Sequence, residues 1–113
     1  MDARTISTPL GRITVSAAAI AQIVARTAEE SYGVVGLSSQ GRLLARLRSR
    51  QGVAVAERNG GVGIELAVVV EYGLNLAEVA STVRSRVTYE VERLTRLNVA
   101  AVDVTIKDVR ASA

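Results

Sequence analysis

A chain of 113 residues has room for one domain with one core, and this chain contains neither cysteine nor histidine. Disulfides, thiolate nucleophiles, catalytic triads and zinc sites are therefore excluded. The net charge of +3 has a local origin, because four arginines lie within nine residues and the rest of the chain carries a net −1. These arginines are Arg42, Arg46, Arg48 and Arg50.

The N-terminal segment, residues 1–10, is expected to be a short flexible arm closed by Pro9. It has no apolar run, so we expect no signal peptide. The longest uncharged apolar run, Leu66–Val70, is five residues long, whereas spanning a bilayer takes roughly 20. The expected compartment is the cytoplasm, and residues 110–113 are expected to form a C-terminal tail.

The first ordered elements are predicted to be a short strand and a helix. Residues 11–15 read GRITV, in strand phase, and Ser16 stands where a helix N-cap is expected. The helix is predicted from about Ala17 to Tyr32, since apolar residues recur at spacings of three and four. Gly33 then suits a left-handed stop, and an extended segment follows.

Residues 38–51, SSQGRLLARLRSRQ, have the composition of a basic linker. Three leucines within it could share one side of a short helix, which would be marginal alone. These are Leu43, Leu44 and Leu47.

A β-hairpin is predicted after this linker. Residues 52–58 read as a strand, and Asn59-Gly60-Gly61 supplies residues that accept positive φ in a tight turn. The second strand, residues 62–72, alternates with period two, which indicates one buried face. That face is predicted to carry Val62, Ile64, Leu66, Val68, Val70 and Tyr72.

A long amphipathic helix and a last strand complete the pattern. Asn75 is placed to cap the helix, with Glu78 three residues later as in a capping box. The final strand, residues 99–109, puts alternate apolar residues on one face. The predicted fold class is α+β: a small mixed β-sheet in the order β-α-β-β-α-β, with two amphipathic helices packed on one face.

Motifs that carry chemistry elsewhere have structural explanations here. The GVVG of residues 33–36 ends a helix, and the glycines at 60, 61 and 63 belong to a hairpin without the GK[ST] of a phosphate loop. Glu65 and Glu71 share a strand face, but they lie roughly 20 Å apart, too far for paired acid–base catalysis. We therefore predict no catalytic residue, no cofactor and no metal.

Two surfaces remain as candidates. The arginine cluster, Arg42 to Arg50, either contacts an anionic partner such as lipid, nucleic acid or an acidic protein, or is a solvated loop. The second face of the sheet either means nothing or forms a flat self-association surface of small apolar residues. The residues predicted for that surface are Ala54, Ala56, Ala67, Val69 and Ala101.

The chain resembles the alkaline shock protein family, also called the Gls-type general stress proteins of Gram-positive bacteria. Residues 11–37 resemble the first half of the family, and residues 52–95 resemble the second half, most specifically at VVVEYGLNLAEVA. Residues 99–109 look like its closing strand. The domain is thus residues 11–109, with 38–51 in a variable linker. Where the family usually has a glycine after the second helix, this chain has Arg96-Leu97-Asn98, and we expect Asn98 to take the left-handed turn.

The resemblance implies a non-enzymatic protein of envelope stress response or cell-envelope homeostasis. It implies action through self-association and a membrane-anchored partner protein, with no membrane span of its own and with peripheral membrane location through that partner. The alternative from the residues is a small nucleic-acid-binding module that uses Arg42 to Arg50. Because aromatic residues are not interleaved with these arginines, nucleic acid is the less favoured partner.

Overall fold

The computed structural model describes residues 3–38, 49–50 and 52–111. The fold class is α+β, as predicted, with two helices and a mixed sheet. The elements in chain order are β1 (Ala3–Thr8), β2 (Gly11–Ser16), α1 (Ala17–Glu29), β3 (Val34–Leu37), β4 (Ser49–Arg50), β5 (Val53–Arg58), β6 (Gly61–Glu71), α2 (Leu76–Thr95) and β7 (Val99–Arg110).

Strand β6 is the centre of the main sheet. One of its edges pairs in parallel with β7 over nearly its full length, which confirms the predicted crossover through α2. The other edge pairs antiparallel with β5 and then with β3. These two strands meet at Ala67, whose N–H donates to the Gly52 carbonyl (3.0 Å) and whose carbonyl accepts from the Ser38 N–H (2.9 Å). β4 extends the sheet beyond β5.

The core lies between one face of this sheet and both helices. The predicted alternation in β6 is confirmed over five residues, and both helices contribute buried residues to the same cluster. Tyr72 is an exception, because it lies just past the end of β6 and is 71% exposed. The fully buried residues of the cluster are Ile20, Val24, Ala28, Val53, Val62, Ile64, Leu66, Val68, Val70, Val83, Val87 and Val91.

The helix ends follow their capping residues. The Ser16 hydroxyl accepts from the Ala19 N–H, and the Asn75 side-chain oxygen accepts from the Glu78 N–H, both at 3.0 Å. Helix α1 ends at Glu29, three residues before the predicted Tyr32. The turn after α2 differs from prediction: Arg96, not Asn98, takes the left-handed conformation, and its N–H bonds the Glu92 carbonyl.

The prediction of a flexible arm over residues 1–10 is wrong for most of the segment. Ala3–Thr8 forms β1, which pairs antiparallel with β2 in a separate two-stranded sheet. The order therefore gains strands relative to the predicted β-α-β-β-α-β. The Thr8 hydroxyl stabilises the turn, since it accepts from the Leu10 N–H and donates to the Gly11 carbonyl. We call residues 3–16 the N-terminal hairpin.

Most of the predicted basic linker lies outside the described residues, including Arg42, Arg46, Arg48 and the three leucines. Within it, Ser49–Arg50 forms β4, paired with Val53 and Ala54. At the other end of the domain, β7 runs to Arg110, so the first residue of the predicted tail belongs to this strand. In the part of the chain that the structure describes, neither helix is long and apolar enough to cross a membrane.

Candidate interaction surfaces

The predicted self-association face is not open. Ala54, Ala67 and Val69 are buried, at 1%, 0% and 3% exposure, while Ala56 and Ala101 are half-buried. The expectation that these residues form an accessible surface is therefore wrong for the three central ones. Self-association itself does not depend on these three residues and stays a prediction.

The same face of the sheet also carries long charged side chains. On β6, Glu65 and Glu71 stand on the same face as Ala67 and Val69, because side chains two apart share a strand face. The Arg58 side chain extends over Gly63, where an added Cβ would lie 3.0 Å from its Cδ. Its guanidinium reaches the Asp103 carboxylate across the sheet at 3.5 Å. This face therefore carries both small apolar and long charged side chains, and it is not a uniform apolar surface.

The predicted arginine cluster falls mostly in a part of the chain that the structure does not describe. Arg42, Arg46 and Arg48 lie outside the described residues, and for Arg50 only the backbone pairing with Val53 is described. The cluster therefore stays a prediction as a contact for an anionic partner.

The exposure of the tyrosines is a feature that sequence reasoning missed. Tyr32, Tyr72 and Tyr89 are the only aromatic residues of the chain, and they are 76%, 71% and 64% exposed. Two of them lie at one end of the sheet. The Gly33 carbonyl accepts from the Glu71 N–H at 2.8 Å, which brings the residue after α1 beside the end of β6. The core itself is aliphatic, so the aromatic side chains are all available for contacts outside it.

A shallow groove with Tyr32 in its lining lies between the end of α1 and the start of α2. Its lining residues are Tyr32, Leu74, Asn75, Glu78, Val79 and Thr82. Gly33 allows the close approach, because a Cβ there would lie 2.8 Å from the Leu74 side chain, and its φ of 88° also favours glycine. We call this region the tyrosine end, defined by residues 29–33, 71–79 and 108–111.

The tyrosine end is acidic. It carries five acidic residues and Arg110, and the Arg86 guanidinium donates to the Glu30 carbonyl at 3.2 Å. Counting Arg86, the region has a net charge of −3. The acidic residues are Glu29, Glu30, Glu71, Glu78 and Asp108.

The N-terminal hairpin is a second accessible apolar surface. Ile6 and Ile13 are cross-strand partners, so they lie on one face together with Val15, while Thr5 and Thr14 bond each other on the opposite face (3.2 Å). Ile6 and Val15 pack against the core, but Ile13 is 56% exposed and Leu10 at the tip is fully exposed. The hairpin contains Arg4 and Arg12 and no acidic residue, a net charge of +2.

A third surface lies between α2 and the outer edge of β7. Arg84, Thr88, Tyr89 and Glu92 line it from the helix, and residues 99–102 line it from the strand. The Glu92 carboxylate accepts from the Val99 N–H at 3.0 Å, which fixes the start of β7 to the helix. Among the described strands, β7 pairs with β6 alone.

Titration and metal chemistry add no site within the described ranges. The described residues hold no group of three or more His, Cys, Asp or Glu side chains that could bind a metal. The hydrogen bond from Arg93 lowers the pKa of Glu90, and the same bond raises the pKa of Arg93. The two side chains meet at 2.8 Å on the surface of α2. This ion pair is part of the helix surface and is unconnected with a groove.

These observations define a class of protein: a small α+β domain with an aliphatic core and with its aromatic residues on the surface. The model of the alkaline shock protein 23 family, described as having a cell envelope-related function, matches residues 5–111. The chain belongs to this family. The resemblance that the sequence suggested is therefore confirmed, and with it the cell envelope-related description of the family.

Two similar proteins come from Gram-positive bacteria. The Bacillus subtilis protein YloU is 28% identical over 114 residues, covering 95% of each chain. A Streptococcus pyogenes protein, Spy1614, is 29% identical over 112 residues and 93% of each chain. Both are described as uncharacterized, so they support the family without adding a function.

Solved structures of the MamM CTD are similar in fold. One such structure has a TM-score of 0.51 at 14% identity and covers 84% of this chain and 98% of that one. A nickel form of a MamM CTD variant has a TM-score of 0.51 at 14% identity, covering 85% and 99%. At this identity the likeness concerns the fold alone.

Proposed function

We propose that this protein is a non-enzymatic component of envelope stress response or cell-envelope homeostasis that works through protein–protein contacts. In this proposal it associates with itself and is held at the cytoplasmic side of the membrane by a membrane-anchored partner protein. Membership of a family with a cell envelope-related description supports the biological setting. The contacts themselves are argued from the surface of the domain.

One observation carries the proposal: the chain places all of its aromatic residues on its surface. Aromatic side chains bury large areas, and tyrosine is enriched at protein interfaces, where it supplies a disproportionate share of the binding energy. Folding this domain leaves all three tyrosines accessible, so their apolar area is available to a partner. The core contains no aromatic residue, so the tyrosines do not stabilise it. Exposed tyrosines of this kind suit a domain that works by binding other proteins.

The test has a solution measurement and a cellular one. Light scattering over a wide range of concentrations is expected to give a mass that rises above the 11.9 kDa of one chain. Fractionation of the native host is expected to find part of the protein with the membrane, and a wash at high pH or with detergent should release it. A mass of one chain at every concentration, together with absence from the membrane fraction, would overturn the proposal.

A further inference from the structure

We propose that the N-terminal hairpin of one copy docks onto the tyrosine end of a second copy, so that copies join head to tail. This inference rests on the self-association part of the proposed function and names its two surfaces. The occupant of the tyrosine end is thus a described segment of the same chain, residues 3–16. Three independent features of the described residues support the assignment: their placement, their apolar surfaces and their charges.

Placement excludes a contact within one chain. The hairpin ends at Ser16, which caps the start of α1, while Tyr32 and Gly33 follow the end of α1. The thirteen residues of this helix separate the two surfaces by about 20 Å, at 1.5 Å per residue. The inner part of the hairpin packs on the core, so in the folded chain the hairpin stays at the start of α1. A second copy can bring its hairpin to the tyrosine end.

The hairpin needs a cover that its own chain does not provide. A two-stranded ribbon is marginally stable in water unless its apolar face packs on something. Here the inner part of that face, Ile6 and Val15, packs on the core, but Ile13 and Leu10 stay exposed. At the other end of α1, Tyr32 lines a shallow groove, and Tyr72 and Leu76 are exposed between the end of β6 and the first turn of α2. Bringing these surfaces together buries apolar area on both sides.

Charge sets which surfaces meet. The hairpin carries +2 and the tyrosine end carries −3, so a hairpin attracts a tyrosine end, and two like surfaces repel each other. Symmetric pairing of hairpin with hairpin, or of tyrosine end with tyrosine end, is disfavoured for that reason. The contact is heterologous, which means that every copy keeps one free surface of each kind and assembly continues as a chain or closes as a ring.

The first experiment uses charge substitutions at exposed positions of the full-length protein. Leu10→Glu places an acid on the hairpin tip, and Tyr72→Glu adds an acid to an end that is already acidic. Each is expected to weaken self-association about tenfold or more, as for a central interface residue. Leu94→Glu, at a half-exposed position of α2 outside the three surfaces, is the matched control and should change it less than about threefold. Circular dichroism and thermal melting check that each variant is folded.

Mixing the two variants decides between a heterologous and a symmetric contact. Leu10→Glu retains a normal tyrosine end, and Tyr72→Glu retains a normal hairpin. In a mixture, the hairpin of Tyr72→Glu can therefore dock onto the tyrosine end of Leu10→Glu. Each variant alone should have the mass of one chain, and the mixture should have the mass of two. A symmetric contact at either surface would give no new dimer on mixing, and that result would overturn the inference.

A cross-linking experiment covers the case in which the charged variants do not fold. The chain has no cysteine, so Leu10→Cys and Tyr72→Cys each introduce a single thiol at an exposed position. Under mild oxidation, the mixture is expected to give the mixed disulfide in at least about fivefold excess over either homodimer. A mixed disulfide at or below the twofold excess over each homodimer that random pairing gives would contradict the inference. If wild type is monomeric at every concentration, the self-association proposal fails as well. If it assembles but both variants assemble normally, only the hairpin assignment fails.

Discussion

Strands β6 and β2 have similar alternating sequences but differ in their surroundings. In β6 every residue except Glu65 and Glu71 is buried, whereas in β2 only Val15 is even half-buried. β6 has neighbours on both edges and two helices over one face, while β2 has one partner strand. The comparison teaches that an alternating apolar pattern favours the strand conformation in both places. How deeply the strand is buried depends on the strands and helices that pack around it. An exposed alternating strand therefore has an apolar face to offer to a partner.

The largest difference is expected between matched truncations in the two strands. Leu66→Ala removes a fully buried side chain at the centre of β6 and should lower the free energy of unfolding by about 2–5 kcal/mol. Ile13→Ala, in β2, should change it by less than about 0.5 kcal/mol in the monomer, because the side chain is more than half exposed. Urea denaturation at low protein concentration measures both. Equal losses would mean that the hairpin belongs to the cooperative core.

A pair of glycine substitutions sharpens the same contrast between packed and open positions. Gly52 and Gly60 both have positive φ, 85° and 78°, so alanine costs roughly 1–2 kcal/mol at either for conformation alone. At Gly52 an added Cβ would also lie 2.5 Å from the Ser38 carbonyl oxygen, where β3 and β5 meet, while an added Cβ at Gly60 would have no heavy atom within 4 Å. Gly52→Ala should therefore cost about 1–3 kcal/mol more than Gly60→Ala. Thermal melting of the two variants, with wild type alongside, measures the difference; equal melting temperatures would contradict it.

The parts of the fold that the sequence predicted carry strong local signals. The β5–β6 hairpin has Asn59 and Gly60 at positive φ in its turn, and α2 has Asn75 at its cap. The crossover from β6 through α2 to β7 follows from handedness and needs no long-range information. Each of these signals lies within a few residues of the structure it specifies, so a single sequence is enough to find it.

The parts that failed depend on distant residues. The segment of residues 3–8 is short and mostly polar, so its own sequence gives little strand signal. It forms a strand because it pairs with β2, which is a tertiary effect. The face with Ala67 was predicted to be open because period two says which residues share a face but not what lies above it. Tyr72 was assigned to the core because its phase fits, although β6 ends one residue earlier. Its neighbour Gly73 was the available signal for that end.

The helix caps provide a smaller test, because one cap belongs to the core and the other joins the hairpin to it. Asn75→Ala removes the acceptor for the Glu78 N–H, and Ser16→Ala removes the acceptor for the Ala19 N–H. Each should cost about 1 kcal/mol of global stability. Ser16→Ala should also speed amide exchange in β2, while Asn75→Ala leaves β2 unchanged. Exchange in β2 that is insensitive to Ser16→Ala would show that the hairpin does not depend on the start of α1.

The smallest effect is expected for the surface ion pair between Glu90 and Arg93 on the exposed side of α2. Because the hydrogen bond from Arg93 lowers the pKa of Glu90 in the folded state, the pair stabilises the fold above the unfolded-state pKa of the glutamate. This contribution is lost as the pH falls through the lowered folded-state pKa. The melting temperature of Arg93→Gln should therefore be slightly below that of wild type at pH 7. At the lowest pH at which both are folded, the two melting temperatures should be the same. Glu29→Gln, on the exposed side of α1, is the control for loss of one surface charge. A gap between Arg93→Gln and wild type that persists or widens in acid would show that Arg93 stabilises the helix by packing on the surface rather than through this carboxylate.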